Sequence, residues 1–231
     1  MTDKITNWYS KLDKKNQDVP IIDKDFNTHF ILPNSRIALI GGSGVGKTNI
    51  LMEFLHRKSS SFYEIIIFTS NPDEPLLRQL KEDMDDIQIY SDINDVPELS
   101  SFPNNAKQEK LIVFDDFITL NRKDMKKVEA YAIASRKKGF TSMFMAQNYT
   151  SVPKLIMRQI EYFIVFRLND NVTINNIIKN HNIDNIPKEL FMEMYLLATS
   201  VPRQFFMLDL KNPDKKYRYR TNFTHLFKLN V

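Results

Sequence analysis

Apolar residues along the chain fall into short, nearly unbroken runs separated by stretches with helical spacing. Arg36–Ile40 is such a run, and Glu64–Thr69, Ile87–Tyr90, Leu111–Asp115, Thr141–Ala146 and Tyr162–Leu168 repeat it. Runs of this length that are apolar at successive positions read as strands buried on both faces. Helical patterns lie between them. Gly46–Lys58 places Ile50, Leu51, Phe54 and Leu55 on one side. Pro75 opens a second helix to about Lys81, at a position where no hydrogen bond needs its missing N–H. Lys123–Lys137 gathers Met125, Val128, Ala132 and Ile133, and a short helix follows Pro153. Strands alternating with helices predict an α/β fold, with a mostly parallel central sheet covered by helices on both faces.

The two ends break this rhythm. Residues 1–35 read as an N-terminal extension, in which Ile5, Trp8, Tyr9 and Leu12 share one face of a short amphipathic helix. That face can dock on the chain's own core or on a second copy. Pro20 and Pro33 punctuate the segment, and residues 36–231 form the main domain. After Asn169, Val172–Lys179 and Lys188–Thr199 predict helices. Gln204–Leu210 and Tyr217–Thr221 predict strands joined by the turn Asn212-Pro213-Asp214, a hairpin for an edge of the sheet. Ser91–Lys110 is polar and proline-bearing, hence loop.

Composition narrows the chemistry. A chain of 231 residues can bury a full core without staples. It has no cysteine, which excludes disulfides and thiolate metal sites and points to a reducing compartment. His29, His56, His181 and His225 show no metal-ligand spacing. No apolar run approaches the ~18 residues that span a bilayer, and the N-terminus carries no signal-peptide core. The net charge of +4 permits a polyanionic partner. Arg122–Lys127, Arg136–Lys138 and Lys211–Arg220 are the basic stretches that can meet phosphates. In the last, Tyr217-Arg218-Tyr219-Arg220 alternates in a way that equally fits an edge strand with one apolar face.

Chemistry concentrates at two strand ends. Gly41-Gly42-Ser43-Gly44-Val45-Gly46-Lys47-Thr48 follows one predicted strand and opens a helix. This is the spacing of a phosphate-binding loop, in which glycines let successive N–H groups face an anion and the helix adds its positive end. Lys47 is placed for the β- and γ-phosphates of a nucleoside triphosphate, and Thr48 for magnesium. At the second strand end, Asp115 suits magnesium and Asp116 suits the base that polarises water, or else a turn cap. If Thr141–Ala146 inserts between the loop strand and the acidic strand, Gln147 stands beside the γ-phosphate and can sense it or position water.

The ordered set Gly41–Thr48, Leu111–Asp116, Ser135-Arg136-Lys137-Lys138-Gly139-Phe140, Phe144-Met145-Ala146-Gln147, Pro153 and Arg158 resembles the FtsK/HerA superfamily. Within it the chain looks most like the poxvirus-type genome-packaging ATPases of large DNA viruses and virophages, over about residues 30–170. The resemblance implies a RecA-like P-loop NTPase fold with an additional strand. It implies ATP and magnesium as cofactors, and hydrolysis that drives double-stranded DNA into a capsid. It further implies a homo-oligomeric ring of five or six subunits, capsid or portal-vertex partners, and a place at the viral assembly site in the host cytoplasm or with the virion. By position, Arg136 resembles an arginine finger reaching a neighbour's γ-phosphate, with Arg158 as the competing candidate. Two departures stand out. Many motors of this fold carry Glu where Asp116 stands, and 231 residues leave no room for a separate DNA-binding domain. Two other classes also fit a phosphate loop: a small-molecule phosphotransferase of nucleotide-kinase type, with Ser91–Lys110 as lid, and a nucleotide-switched assembly scaffold.

Overall fold

The strand-sized apolar runs all become strands, and their order in the sheet is what the sequence leaves open. The computed structural model describes residues 23–58, 62–105, 107–181 and 186–228, with Lys11 and Ile183. Ile5, Trp8, Tyr9 and Leu12, the predicted amphipathic face, lie outside the described residues. The strands are β1 (Arg36–Ile40), β2 (Glu64–Phe68), β3 (Ile87–Tyr90), β4 (Lys110–Asp115), β5 (Phe140–Ala146), β6 (Tyr162–Val165), β7 (Phe206–Asp209), β8 (Tyr219–Thr221) and β9 (His225–Leu226). They form one sheet in the order β3-β2-β4-β5-β1-β6-β7-β8-β9. The first six are parallel to one another, and the last three run antiparallel. β5 lies between β1 and β4, which is the additional-strand arrangement.

The helices are α1 (Phe26–His29), α2 (Lys47–Lys58), α3 (Pro75–Asp83), α4 (Arg122–Ala134), α5 (Lys154–Met157), α6 (Val172–Asn180) and α7 (Lys188–Ala198). Alternate strand residues feed two cores. Ile37, Leu39, Ile65 and Ile67 pack with Ile50, Leu51 and Phe54 of α2 and Leu77 and Leu80 of α3. Ala38, Ile40, Ile66 and Phe68 pack with residues of α4, α5, α6 and α7 on the other face. Burial on both faces is why these strands lack a polar alternation. Asn121 caps α4 by accepting from the N–H groups of Lys123 and Asp124.

Two expectations need correction. Tyr217–Thr221 is not the sheet edge, because β9 pairs outside β8. Tyr219 and Arg220 are therefore buried; Arg220 pairs with Asp209 at 3.5 Å and lies over the Phe30 ring. Within Ser91–Lys110, residues 93–99 are not free to act as a lid. Ile93, Val96 and Leu99 are buried, Tyr131 Oη donates to Pro97 O, and Lys127 Nζ donates to the carbonyls of Ile93 and Val96.

At the amino end of the parallel strands, a buried charge network holds the segment before β1. Lys58 Nζ meets Asp23 at 2.8 Å and Glu109, while Glu109 also accepts from Thr141 Oγ1 at 2.6 Å. Lys58 is 1% exposed, so deleting it strands two carboxylates away from water. Lys58→Ala is expected to lower the unfolding free energy by roughly 3–5 kcal/mol. Glu53→Ala, which removes a partly exposed pair with Arg57, is expected to lower it by less than about 1 kcal/mol. Chemical denaturation of the two variants checks the contrast.

Candidate functional site

β1 ends at Ile40, and the next six residues turn the chain into α2. A Cβ on Gly41 would stand 2.7 Å from Val45 Cγ2 and 2.8 Å from Phe166, so the close approach requires glycine. Gly46 has φ +106°, which L side chains rarely adopt. The Gly41 N–H donates to Ala146 O at 3.1 Å and ties the loop to the end of β5. Lys47 Nζ donates to Gly41 O at 3.0 Å and to Gly42 O at 3.1 Å, curling over its own loop. Beside it, a cavity of about 270 Å³ is bounded by Lys47, Thr48, Asn71, Glu74, Asp115 and Asp116, among others.

The acids reach this cavity from two elements. Asp115 ends β4, and its Oδ2 accepts from Thr69 Oγ1 at 3.0 Å, just past β2. Burial pushes its carboxyl up to about 6, with the negative charge of Asp116 adding to the effect and Thr69 and Lys47 opposing it. Asp116 has φ +50° and precedes a 3-10 turn that its side chain does not cap. Its Oδ1 is buried and has no hydrogen-bond partner among the described residues. A buried orphan acceptor in a polar cleft is a feature that calls for an explanation.

Sequence reading missed Glu74. Its Oε2 accepts from Thr48 Oγ1 at 2.8 Å, so the hydroxyl singled out for magnesium is already held by a carboxylate. Glu74 stands at the N-cap of α3 but makes no side-chain cap. The only signal in the sequence was an acid directly ahead of Pro75, and it acquires meaning only once β2 is known to flank β4. Thr69 was missed for the same reason.

Thr48, Asp115, Asp116 and Glu74 offer hard oxygen donors, the set that suits magnesium. No group of three or more His, Asp or Glu side chains among the described residues could hold a metal by itself.

Gln147 follows directly on β5 and is exposed. Ile40 pairs with Ala146, and Asp115 with Met145, so Gln147 stands at the carboxyl edge between the loop and the acids. Arg136 does not join them. It is exposed in the 3-10 turn Ser135–Lys138, before the amino end of β5. A seven-residue strand separates it from the loop by about 20 Å, so it does not reach the loop of its own chain. Arg158 is exposed after α5, in a cleft shared with Lys154 and Lys179. Among the basic stretches, Lys127 is bound to backbone carbonyls and Glu98, Lys138 donates to Phe102 O, and Arg218 donates to Asn212 O at 2.9 Å. Arg122, Lys123, Lys126, Arg136, Lys137, Lys215, Lys216 and Tyr217 remain exposed.

The family model described as Poxvirus A32 protein matches residues 23–208. A search of curated proteins gives no match. Among solved structures, the chain is similar to B204, the DNA-packaging ATPase from Sulfolobus Turreted Icosahedral Virus. The two share 16% identity over 82% of this chain and 97% of that one, with a TM-score of 0.55. The genome-packaging NTPase B204 of Sulfolobus turreted icosahedral virus 2, in complex with AMPPCP, aligns at 12% identity over 81% and 96%, TM-score 0.55. ATPases 2 and 3 of EssC from Geobacillus thermodenitrificans align at 14% identity over 84% of this chain and 40% of that one, TM-score 0.53. At these identities the structures establish a shared P-loop ATPase fold.

The raised Asp115 carboxyl gives a pH prediction. The group is protonated below about pH 6 and must ionise to hold a cation. Magnesium affinity in the presence of a triphosphate is expected to be full well above that pH and to fall as pH drops through it. Titration calorimetry at pH 6, in buffers of different ionisation enthalpy, should show proton release on magnesium binding. Asp115→Asn should abolish that release.

Proposed function

The chain belongs to the Poxvirus A32 protein family, and on that footing we propose that it is an ATP-hydrolysing motor that moves double-stranded DNA into a viral capsid. The observation that carries this reading is the meeting of Lys47, Thr48, Asp115, Asp116 and Glu74 around one cavity, with Gln147 at the same edge of the sheet. Purely retentive binding needs only the loop. An unpartnered buried carboxylate oxygen beside the loop supports hydrolysis.

The loop N–H groups hold the triphosphate, and Lys47 exchanges its own loop carbonyls for the β- and γ-phosphates. Thr48 and Asp115 would hold magnesium, which when bound would supply charge neutralisation at the transferred phosphoryl group. Glu74 fixes the Thr48 hydroxyl by accepting its proton in a hydrogen bond, which would leave the oxygen free to hold the ion. Asp116 orients and deprotonates the attacking water, and Gln147 senses the γ-phosphate or positions that water. Arg136 acts on the neighbouring subunit, because its own loop is out of reach. That requires a head-to-tail ring, read here as five or six copies. Such a ring would meet DNA through exposed lysines and arginines of the ATPase domain and dock on capsid or portal proteins at the assembly site. No helix among the described residues is long and apolar enough to cross a membrane. The fastening of residues 93–99 along α4 weighs against a small-molecule kinase with a closing lid.

The expected result is ATP turnover stimulated by double-stranded DNA and lost in Lys47→Ala. Turnover of nucleoside monophosphates to diphosphates, with no response to DNA, would replace the motor with a kinase; very slow turnover with nucleotide-dependent association would replace it with a scaffold. Steady-state kinetics divide the roles of the acids. Asp116→Asn is expected to lower kcat by about 100-fold or more with little change in the KM for ATP. Glu74→Gln is expected chiefly to raise the magnesium concentration needed for half-maximal rate. A larger kcat loss in Glu74→Gln than in Asp116→Asn would move the base role to Glu74.

A further inference from the structure

Two helices on one face of the sheet expose rows that match each other. Tyr131 of α4 packs on Phe114 of β4 and Phe140 of β5. Phe191 of α7 packs on Phe206 of β7 and Tyr219 of β8. β1 and β6 lie between those strand pairs, so the helices stand on different flanks of the chain. The outward side of α4 carries Lys126, Ala130 and Ile133, and Lys137 follows in the next turn. That of α7 carries Glu189, Glu193 and Leu196, and Ser200 follows. Both rows run i, i+4, i+7, i+11, and both place charge first and a bulky apolar side chain after it. We propose that α4 of one copy packs parallel to α7 of the next, and that this contact builds the head-to-tail ring. The inference rests on the ring of the motor reading and adds the two surfaces that would meet.

The rows are complementary in charge. Lys126, Lys137, Glu189 and Glu193 are exposed, and none joins an ion pair among the described residues. Glu129 on α4 and Lys188 on α7 carry the opposite signs but stand about a quarter to a third of a turn off the rows. The rows also leave large apolar side chains in water: Ile133 is 52% exposed, Leu196 39% and Leu197 62%. Glu189, Glu193, Leu196 and Leu197 line a groove of about 700 Å³, with Asn171 and Asn175 on its other side, so an approaching helix has a seat. Only one direction matches the rows. Laid parallel, Lys126 meets Glu189 and Ile133 meets Leu196; laid antiparallel, Ile133 would meet a glutamate and Lys126 a leucine. The parallel packing also sets the turn that bears Arg136 beside Ser200 and Val201. Val201 and Gly44 line one cavity, so the same contact carries Arg136 to the rim of the neighbour's phosphate loop.

Sedimentation in magnesium ATP, without DNA, reads the subunit concentration at half-assembly. Lys126→Glu and Glu189→Lys set like charges against each other, and each is expected to raise that concentration at least 10-fold. Combined in one chain, they reverse the pair at every interface and should return it to within threefold of wild type. Ile133→Asp should raise it at least 10-fold, and the reversed pair should not rescue it. All three side chains are exposed, so the melting temperature of the subunit should not change. Single variants that assemble like wild type, or a combined variant no better than the singles, overturn the contact; DNA-stimulated ATP turnover in that case leaves the motor reading standing. A wild-type chain that stays monomeric overturns the contact as well, and if it also lacks DNA-stimulated turnover both readings fall.

Discussion

One backbone hydrogen bond, from the Gly41 N–H to Ala146 O, joins the phosphate loop to β5. The rest of the site takes its spacing from that junction. β5 is paired on its other side with β4, so the distance from the loop to Asp115 is the width of one intervening strand. Neighbouring strands lie about 4.8 Å apart, so β1 and β4 stand two such spacings apart, on the order of 10 Å, which leaves room between Lys47 and the acids for the phosphate and hydrated ion of the proposed function. The same junction explains why Gly41 cannot be larger. The loop leaves β1 pressed between Val45 and Phe166, and a Cβ there would displace the N–H that makes the bond.

Charge then decides what can occupy the space. Asp115, Asp116 and Glu74 face a cavity whose only lysine among the described residues is Lys47, and Lys47 is engaged by Gly41 O and Gly42 O. Without a cation, the carboxylates disfavour one another's ionised forms, which is part of why Asp115 titrates near 6. A bare triphosphate would meet three acids. In the motor proposed, a magnesium ion bound with the triphosphate would relieve that obstacle. The backbone N–H groups and the amino end of α2 favour the anion, while the acids favour the metal.

The parts of the site that were legible in the sequence are those made by contiguous residues. Gly41–Thr48 declares itself because its strand, its turn and its helix all obey one local geometry. The two acids after Leu111–Phe114 are legible for the same reason. Glu74 and Thr69 are not, because their meaning lies in the adjacency of β2 and β4, strands more than forty residues apart in the chain. Glu74 even carries a misleading local signal, since an acid ahead of Pro75 suggests a helix cap that the side chain does not make. Arg220 shows the reverse failure. Alternation with Tyr219 predicted a solvent-facing charge, but β9 and the segment around Phe30 cover it, and Asp209 compensates its burial. Pairing order is a property of the whole chain, and local periodicity does not encode it.

β5 carries one more consequence for a ring-shaped motor of the kind proposed. All seven of its residues are buried, and both its edges are hydrogen-bonded to parallel neighbours. A strand held in this way cannot stretch or slip without breaking two ladders. A displacement at Gln147, on its carboxyl end, must therefore pass to its amino end as movement of the strand with its neighbours. That end leads directly from the turn Ser135–Lys138, which presents Arg136. In a head-to-tail ring the state of one subunit's γ-phosphate would set the position of the arginine offered to the next, over about 20 Å of strand, with no hinge inside β5. The coupling needs only that the sheet move as one body relative to α4, whose last turn runs into the same segment.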